Sequence, residues 1–256
     1  MRRVLFCVVC LWACTHLACV AQSSNDETRM RTVDDCGLFS NDTSVHVLKL
    51  QLNWPDKIGD ADLMPLQQYL TTFFFGTEAT DFVSALNAYT ASMGAVVDSM
   101  PDMEAAHRYY QDCKLKAIWY SPHQFLSLYA YKQERNGEGR VLSTKRRYFT
   151  YDLVNGRVLT QKDIFNQSRV WGTYDDDYRI VFEELVEHFA QVGEHDYIDM
   201  SKLPRDVALY KESILFDLGE SETQPGRDNL SVVPAEHLSF LFTKEIKKRL
   251  KSKVKD

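Results

Sequence analysis

The residues of this 256-residue chain that could do chemistry are few and scattered. Glu187-His188 and Glu194-His195-Asp196 set two imidazoles seven residues apart, close to two turns of helix, a spacing usable by a metal or an acid–base pair. It equally suits two solvated histidines on the polar side of a helix whose other side carries Leu185 and Phe189, and that plainer assignment is preferred. Asp175-Asp176-Asp177 gathers three carboxylates, but the glycine and spaced oxygen ligands of a calcium loop are missing. An acidic start to the following helix accounts for them. The chain contains no H-E-x-x-H, G-x-S-x-G, Walker or dinucleotide motif. No catalytic residue, metal ligand or cofactor is nominated, and a binding role is preferred to an enzymatic one.

Aromatic strands offer more. In Phe125 to Lys132, Leu126 and Leu128 share one face, and Tyr129 and Tyr131 share the other. In Arg146 to Leu153, Phe149, Tyr151 and Leu153 share a face, leaving Arg146, Tyr148 and Thr150 on the reverse. If the apolar sets face helices, then Tyr129, Tyr131, Arg146 and Tyr148 form an aromatic, basic patch on an open sheet face. Tyrosine and arginine anchor interfaces, and tyrosine rings stack on sugars, so the expected partner is a protein or a glycan. The alternative is a sheet covered on both faces, with these as core tyrosines.

Six cysteines divide into two groups. Cys7, Cys10, Cys14 and Cys19 lie in the first 21 residues, which begin with Arg2-Arg3 and continue as an uncharged apolar run from Val4 to Ala13. With small residues at Cys19 and Ala21 before polar Gln22-Ser23-Ser24, this is the layout of a secretory signal, too short in its apolar core to span a bilayer. Cleavage after Ala21 would release a chain starting at Gln22. Lipidation at Cys14 or Cys19 is the second ending, and export is expected in either case: periplasm, outer envelope or exterior. Cys36 and Cys113 are the certain mature cysteines, and in an oxidising compartment a Cys36–Cys113 disulfide is expected, with free thiols as the alternative.

Removing the signal takes Lys+Arg from 30 to 28 against 36 Asp+Glu, a net charge of −8, which argues against nucleic-acid binding. The segment Lys244–Asp256 runs against that balance with seven Lys/Arg and two acids. Ile246, Leu250 and Val254 make it a basic amphipathic helix that could meet acidic lipid headgroups, or else a solvated helix end that complements its own dipole.

The elements that must position these residues read as follows. Residues 1–21 are the signal and 22–44, rich in polar side chains, a flexible arm. Residues 45–113 read as a strand (Val45 to Leu52) and two helices, one through Leu63, Leu66, Leu70 and Phe73 and one through Phe82, Ala85, Leu86, Tyr89 and Met93, with Met103 to Asp112 as a third. From Lys114 the period falls from 3.6 to 2, and residues 114–256 read as hairpin-connected strands with interspersed helices. Among these, Tyr178, Val181, Phe182, Leu185, Phe189 and Val192 outline a long amphipathic helix. The expected class is α+β: an antiparallel sheet with helices packed on one face, a helical N-terminal half and a hairpin-rich C-terminal half, packed as one unit.

The run from Tyr148 to Phe165 has an aromatic strand, then Asp152-Leu153-Val154-Asn155-Gly156-Arg157-Val158-Leu159-Thr160, then Asp163-Ile164-Phe165. It resembles a signature of the extracytoplasmic domain found in RsiV-type anti-sigma factors and beside the catalytic domain of certain peptidoglycan deacetylases. Val232-Val233-Pro234 and Leu238 resemble its closing strand and helix. Two segments depart from it, Arg135 to Arg140 and Glu220 to Gly226. In RsiV-type proteins the domain binds lysozyme, so the resemblance implies an envelope-exposed binding or sensor module; an accessory or hydrolytic protein acting on peptidoglycan or another envelope polysaccharide is the alternative.

Overall fold

A computed structural model describes residues 28–77, 79, 81–170, 176–191, 206–220 and 228–251. The signal segment, Asp175 and the second histidine cluster, Glu194-His195-Asp196, lie outside the described residues. The strands are β1 (Thr28–Ser40), β2 (Val45–Ile58), β3 (Ala95–Val96), β4 (Arg108–Ser121), β5 (Phe125–Asn136), β6 (Val141–Asp152), β7 (Arg157–Val158), β8 (Ala190–Gln191), β9 (Val207–Tyr210), β10 (Ser213–Glu220) and β11 (Asp228–Pro234). The helices are α1 (Met64–Phe75), α2 (Phe82–Ala91), α3 (Gln161–Ile164), α4 (Gln167–Val170), α5 (Asp176–His188), α6 (Ala235–Leu238) and α7 (Lys244–Lys251). The class is α+β, with a seven-stranded sheet ordered β3-β1-β2-β4-β5-β6-β7 and a four-stranded sheet ordered β8-β11-β10-β9.

Burial alternation makes the large sheet. Along β2, Leu48, Leu50, Leu52 and Trp54 are buried while Lys49 is exposed, and on β4 Cys113 and Leu115 join them on the same face. β2 and β4 run parallel, and every other strand pair is antiparallel. A parallel pair needs a long crossover, and α1 and α2 supply it, covering the face that carries Leu48 to Trp54. Each helix is delimited as the residues demand. Gly76 takes the left-handed conformation after α1, and Asp81 accepts a hydrogen bond from Ser84 N at the start of α2. Gly94 has φ +119°, and a Cβ there would lie 2.3 Å from the Ser40 carbonyl oxygen, so the chain passes the end of β1 only as glycine.

Several expectations are corrected. The supposed flexible arm is largely β1, whose thirteen residues pair with β2 from Thr28↔Ile58 to Ser40↔Val45. Its polar side chains suit an edge strand as well as a coil. Met103 to Asp112 is not a helix: a short 3₁₀ turn, Ala105–His107, leads straight into β4, where Gln111, Cys113 and Leu115 alternate inward. A boundary after Cys113 would cut that strand in two, so 45–113 and 114–256 do not divide the sheet. On the large sheet the helices, α1 and α2, keep to one face as expected, and a second sheet covers the other. The second sheet lies against the reverse face near β5 and β6, and α3, α5, α6 and α7 pack on its far side around Phe165, Phe182, Phe216 and Ile246. Val181 of α5 is exposed, while Phe182 and Val186 carry the buried side.

Cys36 and Cys113 are free thiols, which corrects the disulfide. Cys36 on β1 pairs with Lys49, and Cys113 on β4 pairs with Leu50, so β2 lies between the two cysteines. Strands two places apart are separated by about 9–10 Å, beyond the reach of a disulfide. The two thiols also point to opposite faces, Cys36 exposed and Cys113 buried.

Candidate functional site

The structure brings Tyr129, Tyr131, Arg146 and Tyr148 together. Tyr129 and Tyr148 are register partners with ring centroids 4.7 Å apart, and the Tyr129 and Tyr131 rings stack at 6.2 Å. The face they share is not open where they stand. Arg146 Nη2 and Nε donate to Asp217 of β10 at 2.8 and 2.9 Å, Nη1 donates to Asp228 of β11, and Tyr148 Oη donates to Asp228 at 2.7 Å. Tyr148 retains 8 % of its exposure and the Arg146 side chain 11 %. Burial raises the Tyr148 and Tyr129 phenols well above their ordinary value, and the Asp228 carboxylate adds to the effect. Burial also pulls at Arg146, but Asp217 and Asp228 more than offset it and hold its pKa up. Asp217 is raised by burial, with Arg146 opposing. These groups join two sheets. Tyr131 lies at the border of the joint, half-buried, with Lys114 Nζ 5.6 Å from its ring centroid.

On the opposite face, a cleft of about 180 Å³ opens where β2, β4 and β5 run past the end of the helix layer. Its lining includes His46, Tyr109, Gln111, Glu134 and, from α2, Tyr89. Parallel register sets His46 beside Tyr109, and their rings stack at 5.1 Å. Ser44 Oγ lies 2.8 Å from His46 Nε2. Tyr89 Oη donates to Gln111 Oε1, Gln111 Nε2 donates to Cys113 Sγ at 3.3 Å, and Lys132 Nζ donates to the Phe74 carbonyl at 2.8 Å and to Tyr89 Oη at 3.2 Å. Lys132 also lies 4.8 Å from the Tyr89 ring centroid and 3.9 Å from Glu134.

Desolvation governs the protonation states here. It lowers Lys132, against the pull of Cys113 and Glu134, and raises Tyr89 well above its ordinary value. It pushes the thiol of Cys113, buried next to Gln111, up to about 11, with the Gln111 hydrogen bond opposing, so this thiol is a poor nucleophile. His46 is lowered by burial, with Glu134 opposing. The lining therefore presents two stacked rings, an amide, a phenol and a carboxylate, a set suited to gripping a flat polar molecule. Only Tyr89 of these residues was singled out from sequence, and then as core. The signal in the sequence is the alternation Tyr109, Gln111, Cys113, Leu115, which a helical assignment of Met103 to Asp112 obscures.

The aromatic-hairpin signature proves to be a packing device. Asp152, 1 % exposed, accepts hydrogen bonds from Val154 N, Asn155 N, Asn155 Nδ2 and both terminal nitrogens of Arg249 on α7. Arg249 lies 4.1 Å from the Phe125 ring centroid. Thr160 and Asp163 form a reciprocal cap on α3, and Phe165 enters the second core. In the C-terminal helix Ile246 is buried and Leu250 half-buried against the body, leaving Lys244, Lys247 and Lys248 exposed.

His188 is exposed beside Phe189 at the end of α5. Among the described residues, no group of three His, Cys, Asp or Glu side chains is arranged to hold a metal ion, and no helix is long and apolar enough to cross a membrane.

Comparison with solved structures finds the same fold in two proteins of the DUF3298 family. One, from Bacteroides fragilis, has a TM-score of 0.61 and 17% identity, covering 88% of this chain and 97% of its own. The other, from Pseudomonas aeruginosa, has a TM-score of 0.55 and 8% identity, covering 86% and 97%. At these identities the likeness is one of fold. No family model and no curated protein matches the chain.

Proposed function

We propose that this chain is an exported binding module of the bacterial envelope, and that it recognises a small saccharide unit in the cleft between α2 and the large sheet. The observation that carries the reading is the stacked His46–Tyr109 pair facing Gln111, Glu134 and the Tyr89 phenol. Aromatic rings hold the C–H face of a sugar while amide and carboxylate groups take its hydroxyls. The N-terminal segment supports export, and the resemblance to RsiV-type extracytoplasmic domains supports an envelope setting. The DUF3298 neighbours share the fold over nearly their whole length. Glycoside hydrolysis requires two carboxyl groups flanking the bond. Glu134 is the one carboxylate among the residues lining this cleft, so binding is favoured over hydrolysis.

The test uses residues 22–256 with envelope-derived saccharides, from single sugars to peptidoglycan fragments, observed by NMR. Shifts centred on His46, Tyr109 and Gln111, abolished by Tyr109→Ala in a folded protein, are expected. Silence across the saccharides, or shifts confined to Tyr131 and Lys114, would retire the cleft. Capture of a lysozyme that survives Tyr109→Ala would also count against it and return the RsiV-type reading.

A further inference from the structure

β1 is an edge strand with an unusual charge order. Its inner edge is paired along its length with β2. Its outer edge meets β3 only at Phe39 and Ser40, and Val97 N donates to the Leu38 carbonyl. From Thr28 to Gly37, no strand lies along that outer edge among the described residues. Because Leu38 directs its carbonyl outward, the period of two directs the backbone N–H and C=O of Thr32, Asp34 and Cys36 outward as well; the Cys36 N–H donates to Asp35 Oδ1 at 2.8 Å, which leaves Thr32 and Asp34 to pair and the second Asp35 oxygen to take a cation. Natural sheets blunt such edges with charged side chains, proline, bulges or a covering element, and β1 has a bulge between Arg29 and Met30. Here the exposed stretch has Arg29 and Arg31 in its first half and Asp34 and Asp35 in its second.

That order is self-complementary only in antiparallel sense. We propose that β1 pairs with β1 of a second copy across a two-fold axis at Val33, joining two seven-stranded sheets edge to edge. Only registers that match outward-bonding residues with each other are allowed, so Thr32 faces Asp34 of the partner subunit. Val33 then faces its own symmetry mate, and Arg31 faces Asp35 of the partner subunit, twice by symmetry. A shift of two residues one way sets Asp34 against itself; a parallel pairing sets arginine beside arginine. Arg31 already donates to Asp56 at 2.6 Å and lies over the Phe82 ring. A guanidinium has five donors, so a second carboxylate can share it in this fixed position.

Sedimentation equilibrium on residues 22–256 without any ligand should show a concentration-dependent dimer. Thr32→Pro removes an outward N–H that β2 does not use, so the monomer should fold normally by circular dichroism and the dimer should disappear. Asp35→Lys should weaken the dimer at least tenfold, and the loss should shrink in high salt. Val33→Cys, made in a Cys36→Ser background, should oxidise to a cross-linked dimer, because non-hydrogen-bonded pairs bring Cα atoms to about 4.5 Å. A monomer at every concentration would overturn the proposal, whether the edge stays bare or takes a strand from another protein. So would a dimer indifferent to Thr32→Pro, or one whose Val33→Cys form stays uncross-linked under oxidation.

Discussion

Tyr148 and Tyr109 stand on opposite faces of the same sheet, each against another ring and with a carboxylate close by. Around Tyr148 every charge has a partner: Arg146 holds Asp217 and Asp228, and Asp228 also accepts from the phenol. Around Tyr109 the rings of His46 and Tyr89 and the Glu134 carboxylate are half-buried beside a buried Gln111, and the cleft is open. The residue types are nearly the same, and the difference lies in what covers them. β10 and β11 close the first cluster, whereas α2 stops short of the second. A cluster rich in tyrosine and arginine is thus a joint in one place, while a set of rings and polar groups is a receptor candidate in another. At the joint the carboxylates are taken up by Arg146 and Tyr148 beneath a covering sheet, whereas Glu134 and the His46 and Tyr109 rings line an open cleft.

The comparison can be broken most forcefully at the joint. Arg146→Met would leave two carboxylates uncompensated between the sheets and should cost about 3–5 kcal/mol in denaturant unfolding. Adding Asp217→Leu should recover part of the loss, since an apolar replacement of a buried pair is often neutral. If the single variant loses less than about 1 kcal/mol, the sheets are not joined there as described.

Asp152 tests the same logic with pH. Burial raises its pKa, but the bonds from Arg249 and Asn155 outweigh this and hold it below the ordinary 3.8. A depressed carboxylate contributes stability that is present above its unfolded value and lost as pH falls through the folded value. Asp152→Asn should therefore cost roughly 2 kcal/mol at neutral pH, with the gap to the parent protein closing below about pH 4. A gap that stays constant with pH would show that the carboxylate charge is not what binds α7.

At the cleft, Tyr109→Ala should cost only about 1 kcal/mol, because the ring is half-buried. The buried Cys113 thiol should be closed to reagents. With residues 22–256, a thiol reagent at pH 8 should modify Cys36 alone, and both Cys36 and Cys113 only after unfolding. Finding neither thiol reactive in unfolded, unreduced protein would restore the disulfide. The smallest effect concerns His46: since Glu134 opposes the lowering caused by burial, Glu134→Gln should shift the His46 NMR titration to lower pH. A titration that does not move would separate Glu134 from the ring pair.

How far the sequence could be read follows from where its periods were clean. Leu63, Leu66 and Leu70 marked α1 because one apolar stripe at 3.6 residues per turn has few other uses, and Leu48, Leu50 and Leu52 marked β2 for the same reason at period two. The faces of β5 and β6 were also legible. Leu126 and Leu128 lie opposite Tyr129 and Tyr131, and Phe149 and Tyr151 opposite Arg146 and Tyr148, as alternation requires. β1 was not legible, because an edge strand with one solvated side needs no apolar pattern to form once β2 supplies its hydrogen bonds.

By itself, then, the sequence determined the α+β class and, where its period is clean, local conformation and the side of each strand on which a residue falls. These follow from rotational period and turn chemistry, which act over a few residues. The partners came from tertiary structure alone. That Asp217 and Asp228 would close over Arg146, that β2 would separate Cys36 from Cys113, and that His46 would meet Tyr109 all depend on strand order and register. Those contacts join residues between 63 and 82 positions apart, whose meeting no local interaction encodes.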